Sequence, residues 1–227
     1  MLVLAIDTST KMGSVSLYND AVDGLVGEIN LNLKQNHSAT IMQSVDALFK
    51  LTEYQPKDVD KIAVSIGPGS FTGIRIGVGV AKGLAMALGK PIVGINELDL
   101  IEANALKGDY EILPMIDARK ERVYFKKDGE YFDGELRKIL ENQKDKKTLF
   151  LGDGALVYRN LIEEIMGENA IFTSVCGSLP RGGLLGEMAL LREEDNLYTL
   201  EPYYVNRSQA EREKGIKIWR KRNLCTV

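Results

Sequence analysis

The chain has 227 residues, 44% of them hydrophobic and 27% charged, an ordinary globular composition with enough length to bury a core in one large domain or two compact lobes. A formal charge of −3 offers no global attraction to nucleic acid, and two cysteines, Cys176 and Cys225, without CxxC spacing, exclude a disulfide scaffold and point to a reducing compartment. No basic segment followed by an apolar stretch and a cleavage site opens the chain, and Arg75, Lys82 and Lys90 interrupt its most apolar region, so the expectation is a cytoplasmic protein with no membrane contact.

The apolar run over 2–6 predicts a buried strand, residues 7–13 a tight polar turn and residues 14–18 a returning strand. The turn carries one carboxylate and several hydroxyls: Asp7 could orient a metal-bound water or a phosphate, and Thr8 and Ser9 could donate to phosphoryl oxygens. The plainer reading is that Asp7 and Thr8 hydrogen-bond the turn's own backbone. A third strand is expected over 25–33, then a helix over 38–51 with Ser38 as its cap and Ile41, Val45, Leu48 and Phe49 on one face. His37 is the only histidine, so no histidine pair and no HExxH motif can hold zinc, and metallopeptidase chemistry is a remote alternative.

Residues 62–66 read as a short buried strand, and residues 67–77, GPGSFTGIRIG, as a glycine-rich turn leading into a helix over 73–88 capped by Thr72 and stopped near Gly89 and Pro91. A strand, a glycine turn and a helix N-terminus can cradle an anion. The spacing fits neither standard nucleotide loop. A P-loop needs Lys and then Ser or Thr after its last glycine, where Ile74 stands, and the third glycine of a dinucleotide loop falls one place late, at Gly73. The helix itself says more. Gly73, Gly77, Ala81, Ala85 and Gly89 recur every four residues and make one stripe of small side chains, beside a bulky stripe of Ile76, Val80, Leu84 and Leu88. A helix apolar nearly all round must be covered on more than one side, by the sheet and by either a helix of the same chain or a second protein.

A strand over 92–95 and a helix over 97–106 capped by Asn96 follow, and Gly108-Asp109 marks a break. Strands over 112–116, 122–126 and 130–132 come next, the last two joined by a turn at 127–129. Asp117-Ala118-Arg119 stands between the first two strands where Asp7-Thr8-Ser9 stands in the first half. The strand over 148–151, then Gly152-Asp153-Gly154 and a helix over 155–166, echo the earlier glycine turn and its helix. The reading is a weak structural repeat, with an N-terminal lobe over 1–106, a C-terminal lobe over 107–205 and a basic tail over 206–227. Within the second lobe, 171–172 reads as a short strand, 182–191 as a helix and 202–205 as extended. The tail carries seven basic residues from Arg207 to Arg222 against Glu211 and Glu213, a pattern able to contact RNA phosphates or an acidic partner.

The strings over 4–10 (LAIDTST) and 67–77, Asp117-Ala118-Arg119 leading to Val123-Tyr124, Gly152-Asp153-Gly154 and Pro202-Tyr203-Tyr204 together resemble the bacterial TsaB family of tRNA threonylcarbamoyladenosine (t6A) biosynthesis proteins, formerly labelled glycoprotease-like. The resemblance spans almost the whole chain up to the tail. It implies an α/β, two-lobed fold of the actin-like, Hsp70-like and sugar-kinase-like (ASKHA) type, each lobe ribonuclease H-like. It implies a non-catalytic subunit that pairs with a TsaD-like transferase acting on adenosine 37 of tRNA and is joined by a TsaE-like ATPase, with tRNA met indirectly. The glycine-rich helix is then the interface with the transferase, or of a homodimer when the chain is alone. That role carries onto Gly73, Ile74, Gly77, Val78, Ala81 and Ala85, with Arg75 at the rim. The transferase's histidine pair for metal is missing here, where His37 stands alone, so no metal and no catalytic residue are expected. Asp7, Thr8 and Ser9, with Gly152, Asp153 and Gly154, are expected as a vestigial phosphate site, with ATP or ADP entering only within a complex. An independent ATP-dependent phosphotransferase of the same fold, using Asp7 for its metal and 152–154 as a phosphate loop, is the alternative.

Overall fold

The computed structural model describes residues 1–22, 24–32 and 37–205. The first half contains β1 (Leu2–Asp7), β2 (Met12–Asn19), β3 (Gly24–Asn32), α1 (His37–Leu51), β4 (Lys61–Ser65), α2 (Phe71–Leu88), β5 (Ile92–Ile95) and α3 (Glu97–Glu102). The second contains β6 (Glu111–Asp117), β7 (Arg122–Lys127), β8 (Glu130–Glu135), α4 (Leu136–Gln143), β9 (Thr148–Leu151), α5 (Asp153–Val157), α6 (Arg159–Met166), β10 (Ala170–Phe172), α7 (Val175–Ser178) and α8 (Gly182–Leu190). The strands form two five-stranded sheets, ordered β3-β2-β1-β4-β5 and β10-β9-β6-β7-β8. Read outward from β1 and from β6 the two are the same sheet. An antiparallel pair of strands lies on one side, and two parallel strands reached by helical crossovers lie on the other. The repeat expected from the Asp-led turns is therefore present in the pairing of the strands.

All six residues of β1 are buried because both faces of its sheet are covered. Leu2, Leu4 and Ile6 face one way, onto Ile41, Val45 and Leu48 of α1 and Ile74, Val78, Ala81 and Ala85 of α2. Val3 and Ala5 face the other way, onto Leu185 and Ala189 of α8. Each large side chain so placed contributes about 1.5–3 kcal/mol relative to exposure. In the second sheet Leu113, Met115 and Val123 pack on Leu136 and Leu140 of α4 and on Ile162 and Met166 of α6. The opposite face, through Ile116, Leu149 and Leu151, is covered by Leu98 and Ile101 of α3.

The covering helices are thus exchanged. Helix α3, from the stretch read as the first lobe, covers the second sheet with Leu98 and Ile101 and turns Leu100 onto the first. Helix α8, from the stretch read as the second lobe, covers the first, where the chain after it also stays: Tyr203 N donates to Ile66 O at 2.7 Å. Apolar faces announce that a helix is covered, not which sheet covers it.

Other differences from the sequence expectations are local. Helix α2 starts earlier than expected because its cap is Ser70, whose side chain accepts from Gly73 N, and not Thr72. Helix α1 opens at His37, so Ser38 lies in its first turn. Helix α3 keeps its predicted cap, with the Asn96 side chain accepting from Leu98 N, but ends at Glu102. The helix expected over 155–166 is two helices meeting at Tyr158, and α4 had not been expected. Leu33, the His37 side chain and the basic tail over 206–227 lie outside the described residues.

Candidate functional site

The turn between β4 and α2 is shaped by its approach to the turn after β1. Gly69, at φ 156°, passes so close to Ser9 that a Cβ would sit 2.1 Å from the Ser9 carbonyl oxygen. Ser70 N donates to that same oxygen at 2.6 Å. One turn on, a Cβ on Gly73 would sit 2.1 Å from Thr8 O, and one on Gly77 2.5 Å from Thr8 Oγ1, which itself donates to Gly73 O at 2.7 Å. These glycines exist so that α2 can lie directly on the β1–β2 turn.

That contact reverses the expected orientation of α2. Gly73, Ile74, Gly77, Val78, Ala81 and Ala85, expected at an interface with another protein, are the residues α2 buries in its own domain. Of the expected interface set only Arg75 is exposed. The outward face carries a second small-residue pair, Gly79 and Gly83, where a Cβ would meet nothing within 4 Å. Phe71 and Met86 flank this pair and stand 48% and 61% exposed, with Ala87 exposed and Ile76, Val80 and Leu84 half-buried. Glycine in a helix costs about 0.5–1 kcal/mol relative to alanine, and among the described residues no close approach at Gly79 or Gly83 requires it. Two exposed glycines one turn apart let another backbone come close. Helix α2 has the length of a membrane span, 18 residues at mean hydropathy 1.4. Its inward face is nevertheless committed to the sheet, and Lys82 Nζ holds it to the carbonyl oxygens of Tyr198 and Leu200, at 3.4 and 3.0 Å.

At the N-terminal end of this face the Arg75 guanidinium carbon lies 3.8 Å from the centre of the Phe71 ring, and Arg75 Nε donates to the Tyr204 hydroxyl at 2.9 Å. The two rings are 5.4 Å apart.

The residues expected as a phosphate site lie between the lobes and are turned to the protein itself. Asp7, Thr8 and Ser9 are 0%, 1% and 0% exposed. Ser9 N donates to Asp7 Oδ1 at 2.8 Å, and Ser9 Oγ shares a hydrogen with Ser65 Oγ, also at 2.8 Å. On the other side Gly152 N donates to Ser178 O and Oγ, and Asp153 Oδ1 accepts from Asp117 N at 3.1 Å. A Cβ on Gly152 would sit 2.1 Å from Met115 O, the same close approach that Gly69 makes in the first lobe.

Sequence reasoning missed one member of this cluster, Glu97, fully buried in the first turn of α3, where an acid reads as a favourable helix start. Its Oε2 accepts from Ser65 Oγ at 2.5 Å, and among the described residues the partner left to Glu97 Oε1 and Asp7 Oδ2 is a proton shared between the two carboxyls. Burial, reinforced by the charge of Asp7, pushes the Glu97 carboxyl well above the ordinary glutamate range. Burial raises Asp7 to about 6 against the pull of the bond from Ser9 N, and raises Asp153 to about 6 against the bond from Asp117 N. Burial thus holds all three carboxyls toward their protonated forms. Among the described residues no three His, Cys, Asp or Glu side chains converge as metal ligands.

Duplicated sheets, each opened by an Asp-led hairpin turn, with helices exchanged between the lobes, define the two-lobed actin-like (ASKHA-type) class. The family model described as "TsaD: tRNA N6-adenosine threonylcarbamoyltransferase" matches residues 24–180. The tRNA threonylcarbamoyladenosine biosynthesis protein TsaB of Bacillus subtilis is 33% identical over 226 residues, covering 93% of this chain and 96% of that protein. The protein of the same name from Escherichia coli is 35% identical over 130 residues, 55% of this chain and 54% of that one. The solved structure of YeaZ from Pseudomonas aeruginosa superimposes with a TM-score of 0.71 at 25% identity, covering 90% of this chain and 100% of that one. The chain belongs to the TsaB (YeaZ-type) family, within the wider group that the TsaD model describes.

Proposed function

We propose that the chain is a non-catalytic subunit of tRNA N6-threonylcarbamoyladenosine formation that binds a TsaD-type transferase through the outer face of α2, in an assembly completed by a TsaE-type ATPase. The observation that carries this reading is the open, apolar face around Gly79 and Gly83. In the absence of the transferase the same face pairs two copies of the chain, and tRNA is met only through the assembly. The burial of Asp7, Thr8 and Ser9, and the use of their polar groups inside the chain, support a role without nucleotide turnover of its own. Any ATP or ADP then enters with the partners.

The test is to mix the chain with the TsaD-type and TsaE-type proteins of the same organism and follow complex formation and threonylcarbamoyl transfer, omitting each component in turn. Transfer is expected to stop when this chain is left out. Turnover by the chain alone would remove the non-catalytic role. Gly79→Arg or Gly83→Arg, on a surface with room for the new side chain, is expected to abolish binding at unchanged melting temperature. Normal binding by both variants would show that α2 is not the interface.

A further inference from the structure

Arg122, Arg137, Arg159, Arg181 and Arg192 each face a carboxylate of this chain. Arg75 does not. Helix α2 contains no acidic residue, and among the described residues the Arg75 guanidinium meets only the Phe71 ring and the Tyr204 hydroxyl. A long side chain on an exposed helix face is ordinarily free to rotate. Here a ring beneath it and a hydrogen bond from Nε hold it in one position, so the entropy that a partner would otherwise have to remove is already lost. With Nε engaged, the side-on fork formed by Nε and one terminal nitrogen is closed. The end-on fork of the two terminal nitrogens stays open, and it matches the two oxygens of a carboxylate.

We propose that Arg75 is the charged anchor of the α2 face and takes, end-on, a carboxylate side chain of the bound TsaD-type protein, with Phe71 and Tyr204 as the residues that position it. The inference rests on the reading of α2's outer face given above. A protein acid fits better than a nucleic-acid phosphate. The surface running on from Arg75 through Ile76, Gly79, Val80, Gly83 and Met86 carries no charge, whereas a phosphate backbone is held by a run of cations. Lys82, the neighbouring cation on α2, is turned to the carbonyl oxygens of Tyr198 and Leu200. Arginine and tyrosine beside an apolar patch is also the composition in which binding energy concentrates.

The test titrates the TsaD-type protein of the same organism with the full chain and its variants, by calorimetry at low and high salt, without tRNA. Arg75→Glu is expected to weaken binding about a hundredfold, Arg75→Lys about tenfold and Tyr204→Phe a few-fold. Reversing the charge of one acidic residue in the partner is expected to restore the Arg75→Glu variant. If Gly83→Arg abolishes binding while Arg75→Glu stays within twofold of wild type, the anchor is wrong and the α2 interface stands. If Gly83→Arg binds normally, the interface itself falls, and the anchor with it. A lysine variant equal to wild type would overturn the end-on fork. A defect absent from these titrations and appearing only in a parallel set with tRNA would assign Arg75 to a phosphate instead. Loss of the Arg75→Glu effect on truncation after residue 205 would assign it to Glu211 or Glu213 of the chain's own tail.

Discussion

The two lobes repeat one sheet, yet they finish their outer helices differently. In the second lobe α4 and α6 bury Leu136, Leu140, Ile162 and Met166 and turn charge to water, with Arg137 paired to Glu121 and Arg159 to Glu163. In the first lobe α2 buries one face equally well and leaves the other apolar, with two glycines where a surface helix ordinarily carries charged residues. The duplicated plan accounts for the inner faces of both. The outer face of α2 is the one that departs from what a lobe alone needs, and that departure is the strongest sign of a second protein.

The contrast within α2 can be broken by substituting its glycines. Gly73→Val drives a side chain into the Thr8 carbonyl and is expected to cost about 4 kcal/mol in denaturant unfolding. A loss below about 1 kcal/mol would show that the inner face is not closed on the β1–β2 turn. The next effect concerns the buried carboxyls. Asp7, Glu97 and Asp153 keep their protons in the fold after the unfolded chain has released them, so folding takes up protons and stability falls as pH rises. For Asp7 and Asp153 that loss spans pH 3.8 to about 6. For Glu97 it starts near 4.5 and runs higher. Glu97→Gln keeps an acceptor for Ser65 and offers Asp7 a donor. Its stability is expected to match wild type below pH 4.5 and exceed it by about 1–3 kcal/mol at pH 8, as read from melting at each pH. A constant difference across that range would refute the buried-proton account. The smallest effect has the opposite sign to the first. Gly79→Ala and Gly83→Ala, which meet nothing, are each expected to stabilise the isolated chain by about 0.5–1 kcal/mol while weakening the complex. Destabilisation of the isolated chain by either would mean that the outer face is already covered.

Much of the fold was legible because local chemistry decides it. Hydrophobic runs located the central strands, Asn96 announced α3, and Asp7 and Asp117 marked the two equivalent hairpins. The orientation of α2 was not legible. Small residues recur on it in two interleaved sets, 73/77/81/85 and 79/83, and only the distant Thr8 decides which set turns inward. The cap at Ser70 was missed because Thr72 is an equally good capping residue, and the choice depends on where Ser9 holds the turn. Glu97 was passed over because its burial comes from strands and helices far away in sequence. For the candidate site, the sequence pointed to α2, where Arg75 is exposed, but every other residue it named there is buried against the chain's own sheet and β1–β2 turn.

The exchange of α3 and α8 also bears on how the protein is made. As the chain leaves the ribosome, β1, β4 and β5 are available early, but Val3, Ala5, Ala63, Val93 and Ile95 have only Leu100 of α3 as cover until Leu185 and Ala189 arrive. Most of that face waits for the polypeptide up to α8, and a chain stopped at Leu106 lacks Leu185 and Ala189 over the first sheet and the second sheet that Leu98 and Ile101 cover. Contacts spanning that much sequence are slow to form. The core of the first lobe is therefore completed only by residues that follow the second sheet in the chain.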